Sequence, residues 1–317
     1  MASIISLLSG NYDISKLAIG KNFSKMHPPR DWMIIDHNLV DTLENPGFHS
    51  QIVKFVDDND ISVVYFNYYY FAPAARALPD GITRVCDIHD VQHLRAQSFA
   101  MANEAAPSQV PMHVELDQLG AFDKLISINP EETRYLESKI DTPIVTIPHI
   151  ASFQKLEFKE IRRPIIVASF AKPNQDGFRQ ILLPAITGNF ITSTVLVAGG
   201  ISMLALEDRT GRIIPMGAFD TAADIYPYAS VALAPLRFGG GLKIKVIEAL
   251  VHGVPVAGTD CAFSGIPELP AEIFFRFKTS EDLAGLDEFV ASVNPDKVRE
   301  FAIEHYDPAK YLELVEF

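Results

Sequence analysis

The chain has 317 residues, 48% hydrophobic and 21% charged, with a formal net charge of −13. That composition excludes a disordered chain and gives length for two domains of about 150 residues, each with its own core. The acidic balance argues against nucleic acid, whose phosphates need a basic face, and no run of about 18 apolar residues is available to span a bilayer.

In chain order, Ser3 to Leu8 reads as a strand, followed by a loop at Gly10 and a helix from Ser15 towards Met26 that His27, Pro28 and Pro29 end. Trp32 to Ile35 predicts a second strand, Phe48 to Val56 a helix and Ile61 to Phe66 a third strand. The alternation continues with a strand at Thr83 to Ile88, a helix from Val91 to Met101, a strand at Lys124 to Ile128, a helix from Glu131 to Ser138 and a strand at Ile144 to Ile147. After a more polar connection, Ser152 to Arg162, a second series begins. It predicts a strand at Pro164 to Ser169, a helix from Gln175 to Leu183, strands at Ser193 to Ala198 and Ile213 to Met216, and a helix from Ala222 to Tyr228. A strand at Ile273 to Phe277 and helices from Ser280 to Val293 and Pro295 to Tyr306 close it. Repeated strand and helix segments with short connections imply an α/β protein with two doubly wound parallel sheets, whose ligands collect at strand carboxyl ends.

From Ile14 to Arg30 there is no acid, only Lys16, Lys21, Lys25 and Arg30 with His27. This stretch is either a solvated face or a contact for a phosphorylated or lipid-linked acceptor. Cys86 and Cys261 have no metal-ligand companions at short spacing, which suits a reducing compartment. The start, MASIISLLSG, lacks a signal peptide's basic end and long apolar run. A cytoplasmic protein is expected, with peripheral contact at the inner face of a membrane as an extension of that reading.

The chemistry concentrates in Val231 to Asp260. Apolar runs at Val231 to Ala234 and at Val254 to Ala257 read as buried strands around one helix. Gly239, Gly240 and Gly241 mark the helix start, and Gly253 stands where a left-handed cap ends it. On a helical wheel Leu242, Lys243, Val246, Ile247, Ala249, Leu250 and Val251 share an apolar arc, with Lys245, Glu248 and His252 on a polar stripe. Cations in a first helical turn oppose the dipole by roughly 0.3–1 kcal/mol, yet Lys243 and Lys245 are there, with Arg237 just upstream. An anion at that end, a phosphate or diphosphate, accounts for them. The alternative is a plain glycine turn with Lys245 and Glu248 as a solvated pair. The spacing is neither GxGxxG nor GxxxxGK[ST].

The segment APLRFGGGLKIKVIEALVHGVPVAGTD resembles the donor site of retaining GT-B glycosyltransferases of the family 4 type (glycosyl transferases group 1). Pro235, Gly241, Lys243, Lys245, Glu248, Ala249, Gly253, Pro255, Val256 and Thr259 match its KxK variant, and VASFAKPNQDGF is similar to the first strand and helix of that family's donor domain. The common form carries a second Glu eight residues before the helix Glu, where this chain has Gly240. The usual contact to the transferred sugar is therefore missing or made elsewhere.

The resemblance implies an acceptor-binding Rossmann-like domain over residues 1–160, a donor-binding one over 161–306 facing it across a cleft, and a tail at 307–317 that packs back on the first. It implies transfer of a sugar from a nucleoside-diphosphate sugar to a glycan or lipid-linked acceptor, with retention, no metal in the chemistry and no cofactor. Arg237, Gly240, Gly241, Lys243, Lys245 and Lys172 are the expected donor contacts, Glu248 holds ribose hydroxyls and Phe219 is a candidate to stack on the base. His89, in CDIHDVQHLRAQ, matches a strand-end His placed against the donor sugar, so His89 and Glu248 are the expected catalytic groups. Asp90, Arg95, Lys21 and Lys25 are the expected acceptor contacts, and Tyr68, Tyr69 and Tyr70 candidate lining for an acceptor pocket. Asp57 with Asp58 reads as a loop charge pair and no DxD stands at a predicted strand end, and no HExxH, CxxC or GxSxG occurs in the chain. The rival readings are a family 70-type glucuronosyltransferase, a sugar-nucleotide 2-epimerase and a non-catalytic sugar-nucleotide-binding subunit.

Overall fold

The structure is a computed structural model that describes residues 16–20, 32–36, 46–149, 153, 156–311 and 314. The chain divides into two compact units, one of residues 1–93, 108–147 and 311–317, the other of 94–107 and 148–310. Residues 94–107 therefore cluster with the second unit, although they precede it in sequence.

In the first unit β1 (Lys16–Gly20) pairs in parallel with β2 (Trp32–Asp36), Lys16 opposite Trp32. A strand thus occupies the stretch where the sequence predicts a helix from Ser15. The local apolar pattern does not distinguish the two, and the ladder to β2, a non-local partner, satisfies the backbone. The strand expected at Ser3 to Leu8, and Lys21 and Lys25, lie outside the described residues. Helix α1 (Pro46–Asp58) buries Phe48, Ile52 and Val56, spaced four apart on one face. Then come β3 (Val63–Asn67), a single turn at Tyr69–Phe71, α2 (Ala72–Ala77), β4 (Thr83–Asp87), α3 (Gln92–Met101), which from Leu94 on belongs to the second unit, α4 (Met112–Leu119), β5 (Lys124–Ser127), α5 (Pro130–Glu137) and β6 (Ile144–Thr146). Strands β3-β4-β5-β6 form one parallel sheet in that order. Its core includes Phe66, Val85, Cys86, Leu125 and Ile126. The sequence pattern does not announce helices α2 and α4. Both are short, and α2 is mostly alanine, so neither carries a strong apolar period.

The second unit holds β7 (Arg163–Val167), then α6 (Lys172–Gly177), which runs through a wider π turn at Phe178–Leu182 into α7 (Leu183–Thr187). Next are β8 (Val195–Ala198), β9 (Ile213–Gly217), β10 (Ala229–Ala234), α8 (Ile244–Val251), β11 (Val256–Gly258), β12 (Phe274–Arg276), α9 (Leu286–Ser292) and α10 (Pro295–Tyr306). The helix expected from Ala222 to Tyr228 is two short turns, Ala222–Asp224 and Tyr226–Tyr228. Pro227 lacks the N–H that a continuous helix requires.

All six strands of this sheet are parallel, in the order β12-β11-β10-β7-β8-β9. One face of its core joins Ile166, Val197, Val231 and Leu233 to Phe178, Ile186 and Phe289. The order reverses between β7 and β10, because β7 leads outward to β8 and β9 before the chain returns to β10 on its other side. Such a reversal opens a crevice at the carboxyl ends of the two strands, where parallel sheets bind their ligands. Among the described residues no helix is long and apolar enough to cross a membrane.

Candidate functional site

Two segments flank that crevice, the start of α6 after β7 and the glycine loop after β10. They approach closely because Gly177 has no side chain: a Cβ there would stand 1.8 Å from the Pro235 carbonyl oxygen. On the other side Gly199, with φ +82, brings the turn after β8 against the Ala168 carbonyl, where a Cβ would meet oxygen at 2.6 Å.

The glycine loop is shaped by Gly239 (φ 137) and Gly241 (φ 65), conformations that side-chain-bearing residues rarely adopt. Helix α8 starts only at Ile244, with Lys243 in extended conformation at the N-cap. The expectation that Leu242 and Lys243 lie on the helical arc is thus corrected, since the glycine conformations delay helix entry. Lys243 Nζ turns back to donate to the carbonyls of Gly240 (2.8 Å) and Gly241 (2.6 Å). Beyond it, α8 buries Val246, Ile247, Ala249, Leu250 and Val251, at about 1.5–3 kcal/mol for each large side chain. Its end is a left-handed cap as expected: Gly253 has φ +77, with Gly253 N–H donating to Leu250 O and Val254 N–H to Ala249 O.

The polar stripe of α8 is not a solvated face. Lys245 Nζ crosses to Asn174 Oδ1 of α6 at 2.5 Å, and burial, helped by the charge of Lys243, pushes its amine down to about 7. His252 is buried, its Nδ1–H donating to the Glu248 carbonyl and its ring stacked on Tyr226 at 5.1 Å. Burial lowers its pKa. The Glu248 carboxyl, partly buried one turn from Lys245, is pushed up by burial. Wheel geometry places these side chains on one face, and the facing α6 and Tyr226 make that face an interior one.

The remaining cations are paired. Arg237 Nη1 meets both carboxylate oxygens of Asp176 at 3.1 Å, and Lys172 Nζ lies 3.1 Å from Glu104. Asn174, 9% exposed, also donates from Nδ2 to the Ser169 carbonyl, which orients its Oδ1 toward Lys245. The sequence does not single out Asp176, Glu104 or Ser98. Ser98 Oγ accepts the Gly239 N–H at 2.9 Å, so that loop amide is already occupied. No sequence signal marks these residues, because each acts through a contact distant in the chain. Cys261 is half-buried just past β11, and its thiol feels the charges of Lys243 and Lys245 although burial raises its pKa. Phe219 is half-buried in the turn after β9.

Gly240, the position that departs from the resembled pattern, has a structural reason to be glycine. A Cβ there would lie 2.7 Å from Arg95 Cβ and 3.2 Å from its Cα. The sequence suggests Arg95 as a companion of Asp90, but the structure packs it on the glycine loop.

In the first unit the expected strand-end residues come together at the carboxyl ends of β3 and β4. His89 (φ 52) and Tyr68 (φ 85) both hold positive φ. His89 Nε2 is hydrogen-bonded to Asn67 Oδ1 and lies 3.8 Å from Asp87 Oδ1. The Tyr68 ring packs on His89 at 4.5 Å and on Tyr70 at 5.0 Å, while Tyr69 is buried. Tyr65 donates its hydroxyl to Asp87 Oδ2 at 2.7 Å. Asp90 is half-buried just beyond His89.

Residues 162–285 match the family described as Glycosyl transferases group 1. The match covers most of the second unit. No curated protein matches the sequence significantly. Among solved structures, sucrose-phosphate synthase from Thermosynechococcus elongatus is similar with TM-score 0.76 and 15% identity, covering 98% of this chain and 88% of that one. TarM of S. aureus is similar with TM-score 0.66 and 12% identity, covering 84% of this chain. This chain spans only 57% of the TarM chain. The Anabaena Alr3699/HepE protein, solved in complex with UDP, is similar with TM-score 0.67 and 11% identity over 95% of this chain and 98% of that one. These likenesses establish the fold as GT-B, two Rossmann-like domains.

Proposed function

We propose that this chain, whose second unit carries a group 1 glycosyltransferase domain, transfers a sugar from a nucleoside-diphosphate sugar to a glycan or lipid-linked acceptor, with retention and without a metal in the chemistry. One observation carries the reading: at the reversal between β7 and β10, Lys245 is held in a buried setting beside Lys243. Two amines so placed repel each other, and a diphosphate between them offsets that repulsion and returns the proton to Lys245.

Lys243 and Lys245 receive the diphosphate, and the half-exposed Arg237 joins them by exchanging its partner Asp176. Gly240 and Gly241 shape the loop around it. Glu248, pushed up by burial, is poised to accept from ribose hydroxyls, while Lys172 and Phe219 stand as outer donor contacts. A leaving diphosphate gains charge as the glycosidic bond breaks, so fixed cations stabilise the transition state more than the ground state. His89, with Asp90 beyond it, is the first unit's group for the sugar or its acceptor. The packing of Arg95 on Gly240 favours one second reading, a protein that binds the donor without the usual acid against the sugar, either a glucuronosyltransferase of the family 70 type or a non-catalytic subunit.

Calorimetry of UDP, GDP, ADP and NAD with a chelator present tests the donor site, with UDP first because HepE is solved with it. Micromolar binding of one nucleoside diphosphate, lost in Lys243→Ala, supports the reading. Binding of NAD alone overturns it.

A further inference from the structure

The cluster at the ends of β3 and β4 does more than bring His89 to a strand end. A histidine has two ring nitrogens, and which of them carries the proton is decided by what the other groups around the ring accept or donate. Here Nε2 faces two oxygens, Asn67 Oδ1 in hydrogen bond and Asp87 Oδ1 at 3.8 Å. Both are acceptors, so Nε2 must be the donor. The acceptors are themselves fixed. Asp87 is 1% exposed, takes the Tyr65 hydroxyl on Oδ2, and lies 3.4 Å from the His89 backbone N–H through Oδ1. Burial and the Asp87 charge raise the Tyr65 pKa, so its phenol stays a donor.

The backbone supports the same arrangement at a cost. Tyr68 at φ 85, ψ 142 is in a region that glycine prefers, and such a residue stores about 1–3 kcal/mol of strain. Its N–H nevertheless donates to Asp87 O at 2.8 Å, and its ring covers the His89 imidazole at 4.5 Å. Two neighbouring non-glycine residues at positive φ, Tyr68 and His89, converge on one ring orientation.

We propose that Asn67 is a positioning residue that holds His89 in the tautomer protonated on Nε2, so that Nδ1 is the atom offered to substrate, as an acceptor for a hydroxyl group. The inference rests on the reading of His89 as a group that meets a sugar or its acceptor. Asn67 touches no substrate in this arrangement and acts through the ring.

The test is ¹⁵N correlation spectroscopy of the histidine side chains in the full chain, with the His89 signals assigned by their loss in His89→Gln. The proton is expected on Nε2 in the unaltered protein. Asn67→Asp keeps an acceptor at that position, so the tautomer stays. Asn67→Ala removes the acceptor and gives a mixture of tautomers. In a transfer assay Asn67→Ala lowers kcat at least tenfold with KM little changed, and Asn67→Asp restores part of it. A proton on Nδ1 in the unaltered protein, or identical ring signals in all three proteins, overturns the proposal. Asn67→Leu, which is close to asparagine in shape and offers no acceptor, replaces the alanine variant should that one lose its fold, with the same mixture of tautomers expected. The same samples titrated with UDP separate the two readings. Binding of UDP with a proton on Nδ1 sinks the tautomer alone, whereas an Nε2 proton without nucleotide binding sinks the donor site alone.

Discussion

The glycine loop after β10 and the strand ends of β3 and β4 both use positive φ, but they bear it differently. In the loop, Gly239 and Gly241 take it without steric penalty, and the groups they bring together are cations. At the strand ends Tyr68 and His89 take it themselves, and the groups brought together are neutral donors and acceptors around one buried carboxyl, Asp87. Glycine suffices where only the path of the backbone matters. A strained tyrosine or histidine persists where the side chain is needed at that spot.

The largest expected effect is on the loop side. Lys243→Ala and Glu248→Ala are each expected to lose roughly 100-fold or more of transfer, the range for removing one fixed group that stabilises developing charge. Circular dichroism should show an unchanged fold, and normal turnover by both variants would remove the loop from the chemistry. Gly177→Ala tests the crevice itself. Its methyl group would enter the Pro235 carbonyl, so α6 or β10 must shift, and a loss of about 1–3 kcal/mol is expected from thermal or urea unfolding.

The pH dependence sharpens the contrast, because Lys245 is a charged group that burial holds near neutrality. Its amine falls from 10.5 to about 7, so between those values the unfolded chain binds more protons and folding gains as pH rises. Anion binding runs the other way. Diphosphate favours the protonated amine, so affinity is flat below about pH 7 and falls above it by up to about tenfold per unit. Lys245→Met should bind more weakly at pH 7 and lose that slope in calorimetry between pH 7 and 9. An unchanged slope would show that Lys245 does not receive the phosphate.

At the strand ends the comparison predicts an inversion of the usual order of truncation. Tyr68→Gly should be more stable than Tyr68→Ala by about 1 kcal/mol, because both lose the ring and only glycine loses the strain. The smallest effect is expected at Arg237. The Arg237 side chain is half exposed, so Arg237→Ala should change stability by about 1 kcal/mol or less while weakening nucleotide binding measurably.

Most strands of the two parallel sheets are legible in the amino-acid sequence, because short apolar runs punctuated by turn residues are local signals. Pro295 to Tyr306 matches its helix residue for residue, with Asn294 capping it through the Asp296 N–H. The stretch at Lys16–Gly20 reads as helix yet forms a strand, since its partner is Trp32–Asp36 and pairing of that kind leaves no local trace. Within the candidate site, the glycine loop, its lysines, Glu248 and His89 can be named from the chain. Asn67, Asp176 and Ser98 cannot, because a single polar residue at a strand end or on a helix looks the same whether or not a distant group meets it.

The sequence by itself determined the α/β alternation, the left-handed cap at Gly253, and the gathering of cations ahead of α8, all of which follow from neighbours within a few residues. Only the tertiary structure decided that the order of strands reverses between β7 and β10, that α6 turns the polar stripe of α8 into a buried one, and that Arg95 occupies the space beside Gly240. The physical reason is burial. Whether Lys245 is a solvated surface amine or a group brought near neutrality depends on what packs over it, and what packs over it is the start of α6, 71 residues away in the chain.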